Sequence, residues 1–312
     1  MNLPSRITIR EVAPRDGFQS LKDFIPTKQK LETIKDLVKA GVREIETTSF
    51  VSPKAVPQLA DAAELMAKVP RKEVDHSVLI PNFKGAQNAV AAGADKMVVL
   101  ISASESHNQA NIRRSIADSL AELDPIFSIA RENRVEVIGS AAVAFGCPYQ
   151  GEVPEADVFR ILDAYAARKV NAVIVADTTG MATPLRVERM VARFRERHPE
   201  IPLVLHFHNN RGTAMANLLT AAAAGATIFD TALGGIGGCP YVPQAAGNLP
   251  TEDVVCMLAD MGIETGIDLL SIIQAARRLE EVLGYTLPGQ VMKSGPRDPR
   301  LAAEICGIGD HL

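Results

Sequence analysis

The 312-residue chain contains no tryptophan, and its Phe and Tyr bring the aromatic content to only 4 %. Lys and Arg number 33 against 37 Asp and Glu, a formal net charge of −4. With neither a basic stripe nor a set of stacking aromatics, no nucleic-acid partner is expected. No apolar run reaches the roughly 20 residues that a membrane-spanning helix requires, so no membrane partner is expected either. Cysteine is scarce: Cys147, Cys239, Cys256 and Cys306 show neither paired spacing nor the density of a secreted disulfide scaffold. That usage fits a reducing cytoplasm. The start, MNLPSRITIREV, enters a strand pattern at once, and no signal or transit peptide is expected. A glycine-rich phosphate fingerprint after the first strand is also missing, which argues against an open dinucleotide-binding sheet.

What the chain has instead is one pattern repeated eight times: a short β-branched run, a turn, then an amphipathic Ala/Leu/Glu/Lys segment. The strand candidates are residues 7–12, 44–48, 75–80, 96–102, 135–144, 172–180, 203–209 and 227–235. Helices are expected between them, among others in TKQKLETIKDLVKAG, SIADSLAELDPIFSIAREN and PLRVERMVARFRERH. Several helical segments end at a glycine just before the next strand, as in KAGVREIE and AAGATIFD, where a left-handed C-cap favours it. Strands alternating with helices predict a parallel sheet, and eight such units predict an α/β fold of the closed (β/α)8 TIM-barrel type. From about residue 265 the sequence reads as one or two extra helices with a polar tail around KSGPRDPR. No linker composition interrupts the chain, so residues 1–312 are expected to form a single domain with a C-terminal helical extension over about 265–312.

A barrel of this kind carries its active site at the C-terminal ends of the strands. In PLVLHFHNN, His206 and His208 stand two residues apart at the end of the seventh strand, so both imidazoles share a face. Other chemically loaded residues also fall at strand ends: Arg15 and Asp16 in EVAPRDGFQ, Glu46 in EIETTSF, Asp177 in VADTTG, and Cys239 and Asn248 in GGIGGCPYVPQAAGN. Taken singly, each has an ordinary reading. Asp16-Gly17 is a turn dipeptide, Asp177-Thr178 can cap the following helix, and the glycines can be a flexible connection. Taken together, two histidines, one aspartate and one asparagine supply two nitrogen and two oxygen donors. That mixture suits a hard or borderline divalent ion in an octahedral site, with positions left for water or a chelating substrate.

The sequence resembles the hydroxymethylglutaryl-CoA lyase family over nearly its whole length. The likeness runs from EVAPRDGFQ through IETTSFVSPKAVPQLAD, PNFKGAQNAVAAGA and CPYQGEV to LGGIGGCPYVPQAAGNLPTEDVVCML, whose cysteine-containing glycine loop is the most specific part. The resemblance implies that Asp16, His206, His208 and Asn248 bind Mg²⁺ or Mn²⁺. It makes Arg15 the electrophilic residue near the thioester carbonyl and Cys239 a catalytic residue on a mobile loop, with Asp177 and Glu46 in supporting active-site positions. Gln19 and Ser49, inside the matching segments, are expected to join Arg15 in binding substrate. Cys147, in a second GCPY, is expected to be structural.

The implied reaction is a retro-Claisen cleavage of 3-hydroxy-3-methylglutaryl-CoA to acetyl-CoA and acetoacetate. Alternatives are the same cleavage of citramalyl-CoA or a longer isoprenoid glutaryl-CoA, a 2-oxo-acid condensing synthase, and a thioester-binding protein without turnover. An acyl-CoA is therefore the expected small-molecule partner, and the family implies a homo-oligomer, dimeric or larger. This chain departs from the animal lyases at Asn209, Asn210 and Arg211, where those carry an acidic residue followed by small and aromatic ones, and at Gln244 and Ala246 in the loop. A positive charge on Arg211 near a substrate carboxylate or phosphate is one expected consequence.

Overall fold

The computed structural model describes residues 2–238 and 247–306. Eight parallel strands close into a barrel in sequence order, β1 (Thr8–Glu11), β2 (Glu44–Ser49), β3 (Asp75–Ile80), β4 (Lys96–Ser102), β5 (Glu136–Ala142), β6 (Ala172–Asp177), β7 (Leu203–Phe207) and β8 (Ile228–Thr231). β1 pairs with both β2 and β8, so the sheet has no free edge. The expected TIM barrel is what forms.

Helices pack around the strands because their apolar residues recur at helical spacing. In Pro184–Arg197 the buried positions are Val187, Met190, Val191 and Phe194, one stripe of a 3.6-residue repeat. Each large side chain buried in this way contributes about 1.5–3 kcal/mol. The helix Leu269–Leu283 lays Ile272, Ile273, Ala276 and Leu279 in the same apolar cluster as Ile34 and Leu37 of Thr27–Lys39. A separate small cluster, Leu79, Val98, Ile138, Ile174, Ala176 and Val204, comes from alternating strand positions. No helix among the described residues is long and apolar enough to cross a membrane.

Five strands stop short of the expected limits, β1 at Glu11 and β7 at Phe207 among them, and for the other three backbone conformation explains it. β5 ends at Ala142 because Val143 adopts φ 52°, uncommon for a β-branched residue, and its N–H turns to Thr178 Oγ1 at 3.1 Å. β6 ends at Asp177, three residues before the left-handed Gly180. β8 ends before the paired left-handed glycines Gly234 and Gly235. The helix expected over SIADSLAELDPIFSIAREN is two, Ile116–Ala121 and Leu123–Glu132, meeting at Glu122. After β1 the chain makes one wide helical turn, Ala13–Gly17, in which the N–H groups of Arg15, Asp16 and Gly17 all converge on the Val12 carbonyl. That turn sets Arg15 and Asp16 on the wall of the barrel mouth.

Candidate active site at the barrel mouth

A cavity of about 1500 Å³ opens at the C-terminal ends of the strands, with Arg15, Asp16, Gln19, His206 and His208 in its wall. β7 carries His206 between Ala176 of β6 and Asp230 of β8. His208 arrives by another route, because β7 ends at Phe207; it forms an antiparallel bridge with Asn248. That bridge brings a residue forty positions downstream to the histidines.

The donor atoms then crowd one point. His206 Nε2 lies 3.0 Å from His208 Nε2, and His208 Nε2 lies 3.7 Å from Asp16 Oδ2. One ligand atom from each of these three residues fits within a mutual 4.8 Å. Asn248 Nδ2 donates to Asp16 Oδ2 at 2.7 Å and to the Ile236 carbonyl at 3.2 Å. Its Oδ1 is buried with no hydrogen-bond partner among the described residues. A buried carbonyl oxygen without a donor is costly, and a cation would satisfy it. Two nitrogens, a carboxylate and that oxygen fit a divalent ion of hard or borderline character.

Charge is arranged to keep the cluster ready. Arg15 Nε donates to Glu46 Oε1 at 2.6 Å and Nη1 to Asp16 Oδ1 at 2.5 Å. Burial opposes the ionisation of Asp16, but the Arg15 guanidinium and the two imidazoles hold it well below the usual carboxylate range. Burial likewise opposes charge on Arg15, and Glu46 and Asp16 outweigh it. For His206, burial is overcome by Asp230 and Asp16, which raise its pKa.

The remaining expected residues fall in different places. Asp177 accepts the N–H groups of Met181 and Ala182 at 2.8 and 3.1 Å, so both its oxygens anchor the loop after β6. Burial pushes its pKa up to about 6 against those hydrogen bonds. Glu46 is fully buried behind Arg15, and Gln19 lines the cavity. Ser49 is buried at the end of β2, its hydroxyl without a partner among the described residues. Cys239, with Gln244 and Ala246, lies outside the described residues, while Gly237, Gly238 and Gly247 line the cavity. Cys147 is buried and its Sγ accepts from Ser104 Oγ at 3.0 Å. Arg211 spends Nη1 on the Thr179 and Gly180 carbonyls, at 2.9 and 3.0 Å, and so staples the loop after β6.

Sequence reasoning missed four buried charged residues. Asp230 Oδ2 lies 3.2 Å from His206 Nδ1, and its other oxygen takes Arg10 Nη1 at 2.7 Å. Glu11 accepts the N–H groups of Ala13 and Leu233 at 2.8 and 3.0 Å, and Glu252 accepts that of Gly234 at 3.0 Å. Together they clamp the start of the glycine loop. Burial pushes Glu11 up to about 7 and Glu252 up to about 8. For Arg10, Glu11 and Asp230 the available signal was a charge set inside an apolar strand, as in ITIREV and TIFDT, which a buried position tolerates only with partners; Glu252, in the first turn of the helix Thr251–Asp260, reads as an ordinary N-terminal acid.

Comparison with known proteins bears on the same chemistry. The HMGL-like family model matches residues 6–279. A hydroxymethylglutaryl-CoA lyase of Bacillus subtilis is 40 % identical over 298 residues, covering 94 % of this chain and all of the relative. The mitochondrial hydroxymethylglutaryl-CoA lyase of Bos taurus is 41 % identical over 93 % of this chain and 90 % of its own length. Among solved structures, an HMG-CoA lyase from Acinetobacter baumannii in complex with coenzyme A and 3-methylmalate superposes with a TM-score of 0.91 at 42 % identity, over 96 % of this chain and 98 % of that one. The Bacillus subtilis HMG-CoA lyase structure also gives 0.91, at 39 % identity over 94 % and 98 % of the two chains.

Proposed function

The chain belongs to the HMGL-like family, and on that premise we propose that this carbon–carbon lyase cleaves 3-hydroxy-3-methylglutaryl-CoA to acetyl-CoA and acetoacetate. The observation that carries the reading is the convergence of Asp16, His206 and His208 in the barrel mouth with a buried, forked cation, Arg15, beside them. Relatives of this length and identity are lyases, so a condensing synthase or an inert thioester binder is not favoured.

The reaction removes the proton of the C3 hydroxyl, breaks the C2–C3 bond with its electron pair passing to C2 and the thioester carbonyl, and adds a proton at C2. Asp16, His206, His208 and Asn248 would hold a divalent ion, Mg²⁺ or Mn²⁺, which when bound would supply Lewis acidity beside the substrate hydroxyl. Asp16 is held ionised by Arg15, which makes it a poor proton acceptor and a good oxygen ligand. Arg15 has two donors committed to Glu46 and Asp16, and the rest of its fork serves the developing enolate oxygen, where a fixed cation stabilises charge more than water does. Glu46 keeps that fork in place. Cys239 delivers the proton to C2, a general-acid role. Asp177 holds the loop after β6, and Gln19, in the cavity wall, contributes to substrate binding, whereas Ser49 is buried outside that wall.

The acyl-CoA enters through the same mouth. We take the protein to be a single-domain, cytoplasmic homo-oligomer, and light scattering of the purified chain tests the last point. The functional test is acetyl-CoA release in the presence of Mg²⁺ from three thioesters: 3-hydroxy-3-methylglutaryl-CoA, citramalyl-CoA and a longer isoprenoid glutaryl-CoA. Preferred cleavage of the first is expected. Preference for either of the others would replace the substrate while leaving the chemistry, and cleavage of none by metal-loaded protein would refute the lyase reading.

A further inference from the structure

Arg10 is among the largest fully buried side chains of the protein, 2 % exposed, in the middle of β1. A guanidinium there is expensive to desolvate, and an apolar residue of similar volume is commonly as stable or more so. Its neighbours suggest what it is for. Nη1 holds Asp230 Oδ1 at 2.7 Å, Nε lies 3.6 Å from Glu44 Oε2, and Nη2 lies 3.9 Å from Glu46 Oε2. Two of those carboxylates have their other oxygen committed to the mouth of the barrel. Asp230 Oδ2 faces His206 Nδ1 at 3.2 Å, and Glu46 Oε1 takes Arg15 Nε at 2.6 Å.

One cation therefore stands behind both halves of the site. We propose that Arg10 is a positioning residue that, through Asp230, fixes the His206 imidazole for metal and, through Glu46, fixes the Arg15 fork for substrate. A carboxylate only accepts, so His206 Nδ1 donates to Asp230 and the Nε2 lone pair is left for the cation, 3.0 Å from His208 Nε2. Because Arg10 occupies Oδ1, Asp230 presents Oδ2 alone and the imidazole has one orientation. On the other arm, Arg15 is gripped between Glu46 and Asp16, and the Arg10 cation faces the far oxygen of Glu46 across 3.9 Å, a charge contact without a hydrogen bond. The charged group of Arg10 in turn approaches Glu44, which Lys96 reaches at 3.4 Å along with Asp75 at 3.0 Å. The chain of charges thus runs from the N-terminal ends of β2, β3 and β4 to the metal ligands.

The inference rests on the metal reading of Asp16, His206, His208 and Asn248. It is tested by calorimetric titration of Mn²⁺ into wild type, Asp230→Asn and Arg10→Lys, each checked for cooperative unfolding, followed by kcat and KM. In Asp230→Asn the amide oxygen stays on Arg10 and the NH2 turns to His206, which imposes the wrong tautomer; Mn²⁺ affinity should fall about 10- to 100-fold. Arg10→Lys keeps one arm to Asp230 and cannot span both, so Mn²⁺ affinity stays near wild type while kcat falls about tenfold with KM unchanged. A purely structural Arg10 would lower the melting temperature and leave both readouts alone. Wild-type Mn²⁺ affinity in folded Asp230→Asn, or wild-type kcat in folded Arg10→Lys, overturns the proposal. Should Arg10→Lys fail to fold, the Asp230→Asn titration decides. Wild type that takes up no Mn²⁺ overturns the metal reading itself, and that result is seen before any variant is compared.

Discussion

Gly237→Ala is a small change aimed at the proposed metal ligands. Gly237 has φ +125°, a conformation that L side chains rarely adopt, and a methyl there would press into the Asn248 amide nitrogen and come within 3.3 Å of Asp16 Oδ2. Backbone strain at such a position costs about 1–3 kcal/mol. The methyl also pushes Asn248 off Asp16, breaking a 2.7 Å hydrogen bond to an ionised carboxylate, which is a loss of about 1.5–3 kcal/mol. At about 1.4 kcal/mol per tenfold, that second quantity weakens Mn²⁺ binding by about 10- to 100-fold. The control is Gly262→Ala, whose φ is +73° and whose added methyl meets nothing within 4 Å. Both variants should lose a few degrees of melting temperature, and only Gly237→Ala should lose metal affinity in a calorimetric titration. An unchanged Mn²⁺ Kd in Gly237→Ala, or an equal loss in Gly262→Ala, would refute the steric argument.

Three further outcomes are expected of the proposed site and of the buried charges around it. His208→Ala should lose bound metal and activity together, measured by elemental analysis and acetyl-CoA release; retained metal would remove His208 from the ligand set. Cys239→Ser should keep its metal and lose about 10²-fold or more in turnover, as expected for a displaced general acid, and near-normal rates would return the cysteine to packing. Glu252 has its carboxyl raised to about 8 by burial, so the folded state holds its proton longer than the unfolded chain does. Its contribution is most favourable below the unfolded pKa near 4.5 and is eroded as pH rises towards 8, because the native state binds more protons through that window. Denaturant midpoints of Glu252→Gln should therefore fall less steeply than wild type between pH 5 and about 8, and parallel slopes would contradict the assignment.

The barrel was legible because each strand and helix announced itself by period, and because eight strand–helix units leave little choice but closure. Asp16 and His206 were legible for the same reason: once the barrel is granted, a polar residue at a strand end faces the mouth. Asn248 was placed by residue type, yet the device that delivers it, the bridge to His208, has no periodic signature. Arg10, Glu11 and Asp230 escaped notice because a charged residue inside a strand reads as the solvent-facing half of an alternating pattern. The closed barrel turns Arg10 and Asp230 inward to the site, while Glu11, on the opposite face of β1, is buried by its bonds to Thr251 and to the Ala13 and Leu233 N–H groups. Arg211 shows a role that sequence does not signal: from its position next to the histidines, its Nη1 donates to the carbonyls of Thr179 and Gly180.

The most direct test of the central claim joins metal to bond cleavage in one experiment. Protein stripped with a chelator is given 3-hydroxy-3-methylglutaryl-CoA, and acetyl-CoA and acetoacetate are both quantified before and after Mg²⁺ or Mn²⁺ is restored. The account predicts no products without the ion and equimolar acetyl-CoA and acetoacetate with it. Cleavage that persists in the stripped protein, or a restored ion that yields neither product, would contradict it.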